Sequence, residues 1–225
     1  MTSGIILAAG SSQRFGGEVP KQFIDVFGKP LIQYTIDAFL EVPDIAEVIL
    51  VLPADIYSIP SFSFGSKSYK ITRGGNTRLE SVINGIQEVC PGNDIIIIDG
   101  DRPGVTQGIL KGFIDEIQGH PEYMAGIHYL PAYDSLVSPN LELIPREKVL
   151  ICQTPSFAKY QVAKRIVETW QELHTPKNNI WELWIQYYGS DREHFLLHPG
   201  NPRLLKITTP EDLEIFKGII LNDRV

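Results

Sequence analysis

The feature that most constrains the fold is an alternation of short apolar runs with segments whose apolar residues recur at helical spacing. The clearest run is DIIIIDG at 94–100, where four consecutive isoleucines leave no polar face. A strand of this kind is buried on both sides, which is typical of a parallel sheet covered by helices. The chain is therefore predicted to be an α/β protein with a mostly parallel sheet.

The same patterns place the other elements along the chain. Strands are predicted at 3–9, 46–53, 94–100, 123–130, 194–199 and 203–208, and helices at 30–42, 77–89, 105–117, 156–173 and 209–220. Two segments interrupt the alternation. Residues 54–70 are rich in serine and phenylalanine and are predicted to form an irregular connection, and the proline-containing segment 131–150 is predicted to be a protruding hairpin or arm.

Length and composition exclude several classes of protein. The 225 residues contain no linker-like stretch, so we expect a single domain over 1–225 with the arm at about 131–150. The net charge of −7 argues against a nucleic-acid partner, and no apolar run reaches the ~20 residues of a membrane helix. The apolar run near the N-terminus is too short for a signal peptide, which favours a cytoplasmic protein.

Three segments that could carry chemistry follow or precede the predicted elements at one edge of the sheet. They are 9–23 after the first strand, 73–78 before the second helix, and 99–103 after the isoleucine strand. Ligands of open parallel sheets bind beyond the carboxyl ends of the strands. We therefore expect these distant segments to meet and to form one site.

The first of these segments, within LAAGSSQRFGGEVPKQF at 7–23, is poor in large side chains and holds Arg14 and Lys21. Its glycines permit close approach of the backbone to a ligand, and its amides could bind an anion. The spacing is neither that of a Walker A loop nor G-x-G-x-x-G. Composition alone leaves two interpretations open, an exposed loop with solvated cations or a phosphate cradle.

The other two segments also have two interpretations each. In TRGGNTRLESV (72–82) the glycines precede a capped helix, which is either ordinary capping or a turn that contacts a base or ribose. In IDGDRPG (98–104), Asp99 could face a cation or a sugar hydroxyl and Arg102 a phosphate. The alternative there is a turn with a surface ion pair.

In this order the segments resemble the CTP-dependent alcohol-phosphate cytidylyltransferases, a family that includes enzymes for 2-C-methyl-D-erythritol 4-phosphate and for ribitol 5-phosphate. The matching elements are A-A-G-x-x-x-R-x(5)-P-K-Q at 8–22, G-G-x-x-R-x-x-S at 74–81, D-x-x-R-P at 99–103, Q-T-P at 153–155 and K-x-T-x-P-x-D-L at 206–213. The resemblance implies a Rossmann-like, mostly parallel sheet with helices on both faces. It also implies a protruding β-arm that joins two copies into a homodimer.

The resemblance further implies a reaction that moves CMP from CTP to an alcohol phosphate with release of pyrophosphate, dependent on Mg²⁺ or another divalent cation. The implied catalytic residues are Arg14, Lys21 and Lys206. The implied nucleotide-binding residues are Ala8, Ala9, Gly10, Gly75, Asn76, Ser81 and Asp99, of which Asp99 could also lie near the metal. The implied acceptor-binding residues are Asp134, Ser135, Arg146 and Arg102, with Arg146 coming from the partner's arm.

Departures from the family pattern concern the acceptor more than the nucleotide. The arm reads Asp134-Ser135-Leu136-Val137, where members acting on methylerythritol phosphate usually show D-T-[IVM]-K. This favours ribitol 5-phosphate or a similar polyol phosphate, with 2-C-methyl-D-erythritol 4-phosphate of isoprenoid precursor synthesis as the alternative. Residues 179–183 depart from T-D-[DE]-A-S, and Asp101 adds a carboxylate where the family usually has a small uncharged residue.

Two further functions stay open at this point. The scaffold could use GTP or UTP instead of CTP, or the chain could be a catalytically silent nucleotide-binding homologue. The identity of the acceptor, the effect of the departure at 179–183, the pathway and the affinity of the dimer do not follow from the sequence.

Overall fold

A computed structural model describes residues 1–10, 12, 15–16, 19–53, 62–173 and 193–223. The strands are β1 (Thr2–Leu7), β2 (Asp25–Val26), β3 (Lys29–Pro30), β4 (Ile45–Leu52), β5 (Ser68–Arg73), β6 (Asp94–Asp99), β7 (Ala125–Pro131), β8 (Leu136–Val137), β9 (Leu143–Ile144), β10 (Leu150–Ala158) and β11 (Phe195–Pro199). The helices are α1 (Leu31–Leu40), α2 (Arg78–Gln87), α3 (Gln107–Gly119), α4 (Tyr160–Leu173) and α5 (Pro210–Asn222).

Seven strands form the central sheet in the order β11-β7-β10-β6-β1-β4-β5. Neighbouring strands are parallel except where β10 runs antiparallel to both β6 and β7. This confirms the predicted α/β class and the mostly parallel sheet. The crossover from β1 to β4 and the return to β6 bring the carboxyl ends of these strands to one edge.

The isoleucine strand is buried on both sides, as its sequence predicts. Ile96 and Ile98 pack under α1 and α3, whereas Ile95 and Ile97 pack under α2 and α4. Side chains alternate across a strand, so four apolar residues in a row require a helix layer on each face. A third cluster, which includes Phe216 of α5, lies beside the strand pair β2–β3.

Helix starts follow the local sequence closely. Thr77, Thr106 and Thr209 each accept a hydrogen bond from a backbone amide of the first turn. At Thr209 the cap is a reciprocal capping box with Asp212. These contacts depend on residues three apart in sequence, which is why the predicted starts of α2 and α5 agree with the structure to within a residue.

Three element predictions are corrected by the structure. Residues 203–208 do not form a strand, and Pro202–Leu204 is a 3-10 turn. The apolar pattern that suggested a strand comes from Leu204 and Ile207, which are both fully buried in the core. Residues 156–158, predicted as helix, belong to β10, whose internal Pro155 obscures the strand signal. The end of the segment 54–70 belongs to the edge strand β5 (Ser68–Arg73), and 54–61 lie outside the described residues.

The segment 131–150, which is predicted to be an arm, connects β7 to β10. It contains the hairpin of β8 and β9, which pairs Leu136 with Ile144 and Val137 with Leu143 and is separate from the central sheet. Its side chains are largely exposed, including Tyr133 at 75% and Leu141 at 87%. Over the described residues, no helix is long and apolar enough to cross a membrane.

Candidate active site

Three backbone hydrogen bonds link the carboxyl ends of four parallel strands, β6, β1, β4 and β5. The amide of Ala8 donates to the carbonyl of Val51 over 2.8 Å, and that of Gly100 donates to Leu7 over 2.7 Å. The amide of Gly74 donates to Leu52 over 2.7 Å. The loops after β1, β5 and β6 therefore begin at the same edge of the sheet, as the three predicted segments require.

Two adjoining cavities open at this edge. One, of about 430 Å³, is lined by Leu7, Ala8, Gly10, Ser12, Phe15, Lys21, Gln22, Asp101, Lys206 and Thr208. The other, of about 340 Å³, is lined by Leu7, Ala9, Gly10, Gly75, Asn76, Thr77, Arg78, Ser81, Asp99, Asp101 and Lys206. Because they share Leu7, Gly10, Asp101 and Lys206, we treat them as one cleft and call it the strand-end cleft.

Gln22 ties the described residues of the first loop to the end of β1. The Gln22 side-chain nitrogen donates to the carbonyls of Ala8 and Gly10 over 2.8 and 3.2 Å. The Ser12 hydroxyl donates to the Gln22 side-chain carbonyl and accepts from the Lys21 amide. Gln22 belongs to the P-K-Q element but was not among the predicted site residues, and its role as a buried clamp depends on contacts that the sequence does not reveal.

Lys21 points into the cleft from this loop. Its ammonium group donates to the carbonyl of Ile207 over 2.5 Å and lies 2.7 Å from Oδ2 of Asp101. Its side chain is only 11% exposed. Of the alternatives left open by composition, a solvated cation is therefore excluded for Lys21. Arg14, the other predicted cation of this segment, lies outside the described residues.

Asp99, the last residue of β6, is surrounded by cations. Arg78 donates to Oδ1 through Nε and Nη2 over 3.1 and 2.9 Å, and Lys206 donates to Oδ2 over 3.0 Å. The Arg102 Nε lies 3.6 Å from the same Oδ2. Burial alone would raise the pKa of the Asp99 carboxyl, but these three cations outweigh it and hold its pKa well below the usual range.

Arg102 occupies the buried side of this cluster. It is 8% exposed, it does not line the cleft, and it donates to the carbonyl of Leu204 over 2.5 Å. Burial lowers its pKa, although Asp99 and Asp101 both oppose that effect. Its predicted contact with the acceptor phosphate stays a prediction.

The second predicted segment forms the opposite wall. The Gly75 amide donates to Ser81 Oγ over 3.1 Å, and Ser81 in turn donates to the Thr77 carbonyl. A Cβ atom on Gly74 would lie 2.3 Å from Cβ of Ala9, so only glycine permits this contact between the two loops. Gly75, Asn76 and Ser81 therefore face Ala9 and Gly10 across the cleft.

Most predicted site residues meet in this cleft: Ala8, Ala9, Gly10, Lys21, Gly75, Asn76, Ser81, Asp99 and Lys206. Asp134, Ser135 and Arg146 do not, since they lie on the arm, where Arg146 is exposed and donates to the Tyr133 carbonyl. Arg78 was not predicted, although it occupies a fixed position of the G-G-x-x-R-x-x-S element. The departure at 179–183 lies outside the described residues.

The cleft lies at the carboxyl ends of parallel strands and holds several cations, and its described residues include no nucleophile paired with a base. Such a site is suited to transfer between phosphates. The fold and the site therefore define a nucleotidyltransferase. The family model for 2-C-methyl-D-erythritol 4-phosphate cytidylyltransferase (IspD) matches residues 3–222. The chain belongs to this family, and it is a CTP-dependent cytidylyltransferase.

Individual relatives agree with the family match over nearly the whole chain. A 2-C-methyl-D-erythritol 4-phosphate cytidylyltransferase of Clostridium perfringens is 34% identical over 93% of this chain and 94% of its own length. The one of Phocaeicola vulgatus is 32% identical over 96% and 98%. The crystal structure of the Thermus thermophilus enzyme has a TM-score of 0.76 and 25% identity, and the match covers 97% and 98% of the two chains.

Proposed function

We propose that this chain transfers CMP from CTP to 2-C-methyl-D-erythritol 4-phosphate, a step of isoprenoid precursor synthesis. The observation that supports this acceptor is the family match over residues 3–222, together with relatives named for the same substrate. The arm sequence had favoured ribitol 5-phosphate. Four residues of an exposed hairpin weigh less than a match along the whole chain, so the alternative acceptor now takes precedence.

In the proposed reaction an oxygen of the acceptor phosphate attacks the α-phosphorus of CTP. A new P–O bond forms, the bond between the α-phosphorus and its bridging oxygen breaks, and pyrophosphate leaves with that electron pair. Lys21 and Lys206, which both line the strand-end cleft, would stabilise the charge on the α- and β-phosphates. Gly10 would permit close approach of the triphosphate, and Asn76 and Ser81 would contact the cytidine.

The chain's carboxylates fit a divalent cation held mainly by phosphates. Mg²⁺ is usually bound through one or two carboxylates together with substrate oxygens. Asp99 and Asp101 supply two carboxylates beside the cleft, and Oδ1 of Asp101 is buried with no hydrogen-bond partner among the described residues. No group of three or more potential metal ligands occurs in that part of the chain. The cation, when bound, would offset the charge of the two substrates, and Asp99 is the residue that would hold it.

We also propose that the arm joins two copies of the chain into a homodimer. Tyr133, Leu141 and Leu143 are each more than 70% exposed on the arm, an apolar surface that one copy leaves uncovered. Arg146 lies on the same arm and away from the cleft of its own chain. It would reach the acceptor phosphate in the partner's cleft.

The deciding experiment is pyrophosphate release with CTP and Mg²⁺ against 2-C-methyl-D-erythritol 4-phosphate, ribitol 5-phosphate and a panel of polyol phosphates, with products identified by mass. We expect the highest kcat/KM with 2-C-methyl-D-erythritol 4-phosphate, no comparable rate with UTP or GTP, and no release in EDTA. A higher kcat/KM with ribitol 5-phosphate would overturn the acceptor. If no acceptor supports pyrophosphate release, the silent nucleotide-binding homologue is favoured.

A further inference from the structure

Asp101 is a charged residue of the strand-end cleft that the proposed reaction does not place against a reacting phosphate. It follows β6 by two residues, and its side chain is 14% exposed. Oδ2 lies 2.7 Å from the Lys21 ammonium, and Oδ1 lies 3.9 Å from that of Lys206. The carboxylate is therefore placed between the two lysines that the reaction needs.

The backbone of Asp101 joins the same segments. Its carbonyl accepts a hydrogen bond from the Ile207 amide over 2.8 Å, and the Ile207 carbonyl accepts one from Lys21. Three segments remote in sequence are thus linked at one point. Because the backbone link does not depend on the carboxylate, replacing the side chain should leave the path of residues 205–208 intact.

The remaining donors of Lys21 show what this arrangement achieves. An ammonium group has three N–H donors, and Asp101 and Ile207 account for two of them. Within the described part of the chain the third has no partner, so it can serve a ligand in the cleft. A long side chain normally samples many rotamers, so two fixed partners spare the substrate the entropic cost of ordering it.

Charge supplies a second reason for a carboxylate here. Lys21 and Lys206 repel each other, and Lys206 already shares Asp99 with two arginines. A negative group between the lysines lowers that repulsion while the cleft is without phosphates. The same group repels phosphates when they bind, so it improves placement of the lysines at some cost in affinity for CTP.

We propose that Asp101 is a positioning residue that holds Lys21 and Lys206 in the orientation required for transfer, an inference that rests on the proposed function. It acts through the two lysines. It therefore affects the rate of transfer more than the binding of CTP.

The test compares Asp101→Ala, Lys21→Ala and the double variant. We expect Asp101→Ala to lower kcat roughly 10- to 100-fold, the range for slight misplacement of a group in an active site, without raising KM for CTP. Asp101→Asn should recover part of the rate, because an amide oxygen can still accept from Lys21. In the Lys21→Ala background, Asp101→Ala should lower kcat by a much smaller factor than it does in the unmodified chain.

A second readout does not require activity. Acylation of lysines by an amine-reactive ester, followed by peptide mass spectrometry, should modify Lys21 several-fold faster in Asp101→Ala than in the unmodified chain. The exposed Lys164 serves as the internal reference. Asp115→Asn, which breaks a surface pair with Lys111, is the matched control and should change neither readout.

The outcomes separate the two proposals. Unchanged kcat and unchanged Lys21 labelling in Asp101→Ala would overturn the positioning role. So would a fall in kcat on Asp101→Ala that is as large in the Lys21→Ala background as in the unmodified chain. Should Asp101→Ala fail to fold, Asp101→Asn is judged by the same labelling of Lys21. If the unmodified chain transfers no CMP, the proposed function fails, while faster labelling of Lys21 would still show that Asp101 holds it.

Discussion

The Nζ atom of Lys206 donates a hydrogen bond to Oδ2 of Asp99 over 3.0 Å, although the two residues lie 107 positions apart in sequence. Arg78 and Arg102 approach the same carboxylate from two other segments. Asp99 therefore fixes how the loops around the strand-end cleft fit together, in addition to any contact with substrate.

Replacing Asp99 by asparagine should destabilise the protein by about 3 kcal/mol or more at pH 7, because three cations lose their buried counter-charge. The folded pKa of Asp99 is depressed, so its contribution is complete above the unfolded pKa of about 3.9 and is lost as the pH falls through the folded value. Urea unfolding at several pH values measures this. A gap between the two proteins that widened below pH 4 would contradict it.

Lys21→Ala should lower kcat about 100- to 1000-fold, since removal of one group that stabilises transition-state charge costs about 3–4 kcal/mol of barrier. The fold should survive, which circular dichroism can confirm. Lys164→Ala, at an exposed position of α4, is the control. Pyrophosphate release by Lys21→Ala at the unmodified rate would remove Lys21 from the proposed catalytic set.

Two glycine variants should distinguish a glycine that CTP binding requires from one that the packing of the fold requires. A Cβ on Gly10 would meet nothing within 4 Å, so Gly10→Ala should leave thermal stability unchanged. If the triphosphate lies against this part of the backbone, the same variant should raise KM for CTP. A Cβ on Gly74 would lie 2.3 Å from Ala9, so Gly74→Ala should cost about 1–3 kcal/mol of stability. Melting temperatures and CTP titrations distinguish these effects, and a Gly10→Ala variant with normal KM would contradict close approach there.

His128 should make stability depend on pH below neutrality. Burial lowers its pKa to about 4; a bond to the Pro155 carbonyl opposes this and the neighbouring His198 adds to it. The unfolded chain takes up the proton first, so stability should fall from about pH 6.5 to pH 4, by roughly 3 kcal/mol. His128→Gln should lack this component. If the free energy of unfolding falls equally between pH 7 and pH 4 in the unmodified chain and in His128→Gln, another group causes the pH dependence.

Leu143→Asp on the arm should shift the protein towards the monomer, because a charge would replace an apolar side chain that is 73% exposed. Loss of the dimer should also lower activity if Arg146 of one copy serves the partner's cleft. Sedimentation measures the first effect and pyrophosphate release the second. Ile215→Asp, at an exposed position of α5, is the control, and a Leu143→Asp variant that stays dimeric would place the interface elsewhere.

The sequence by itself determined the elements whose signals are local. The apolar run 95–98 required a strand buried on both faces, and the capping threonines Thr77 and Thr209 marked the starts of α2 and α5. Ordered motifs placed Ala8, Gly75, Asp99 and Lys206 in one site before their distances were known. The strand and the helix caps depend on residues close together in the chain. The common site depends on the general rule that the carboxyl ends of parallel strands meet at one edge of the sheet.

Only the tertiary structure decided which strands pair at the less regular positions and which charged side chains contact one another. β5 is an edge strand with little burial, and β10 contains a proline, so neither carries a clear local pattern. The alternation at 203–208 reflects burial of Leu204 and Ile207 without strand pairing. The contacts of Lys21 with Asp101 and Ile207 depend on how three remote loops pack, and no spacing in the sequence specifies them.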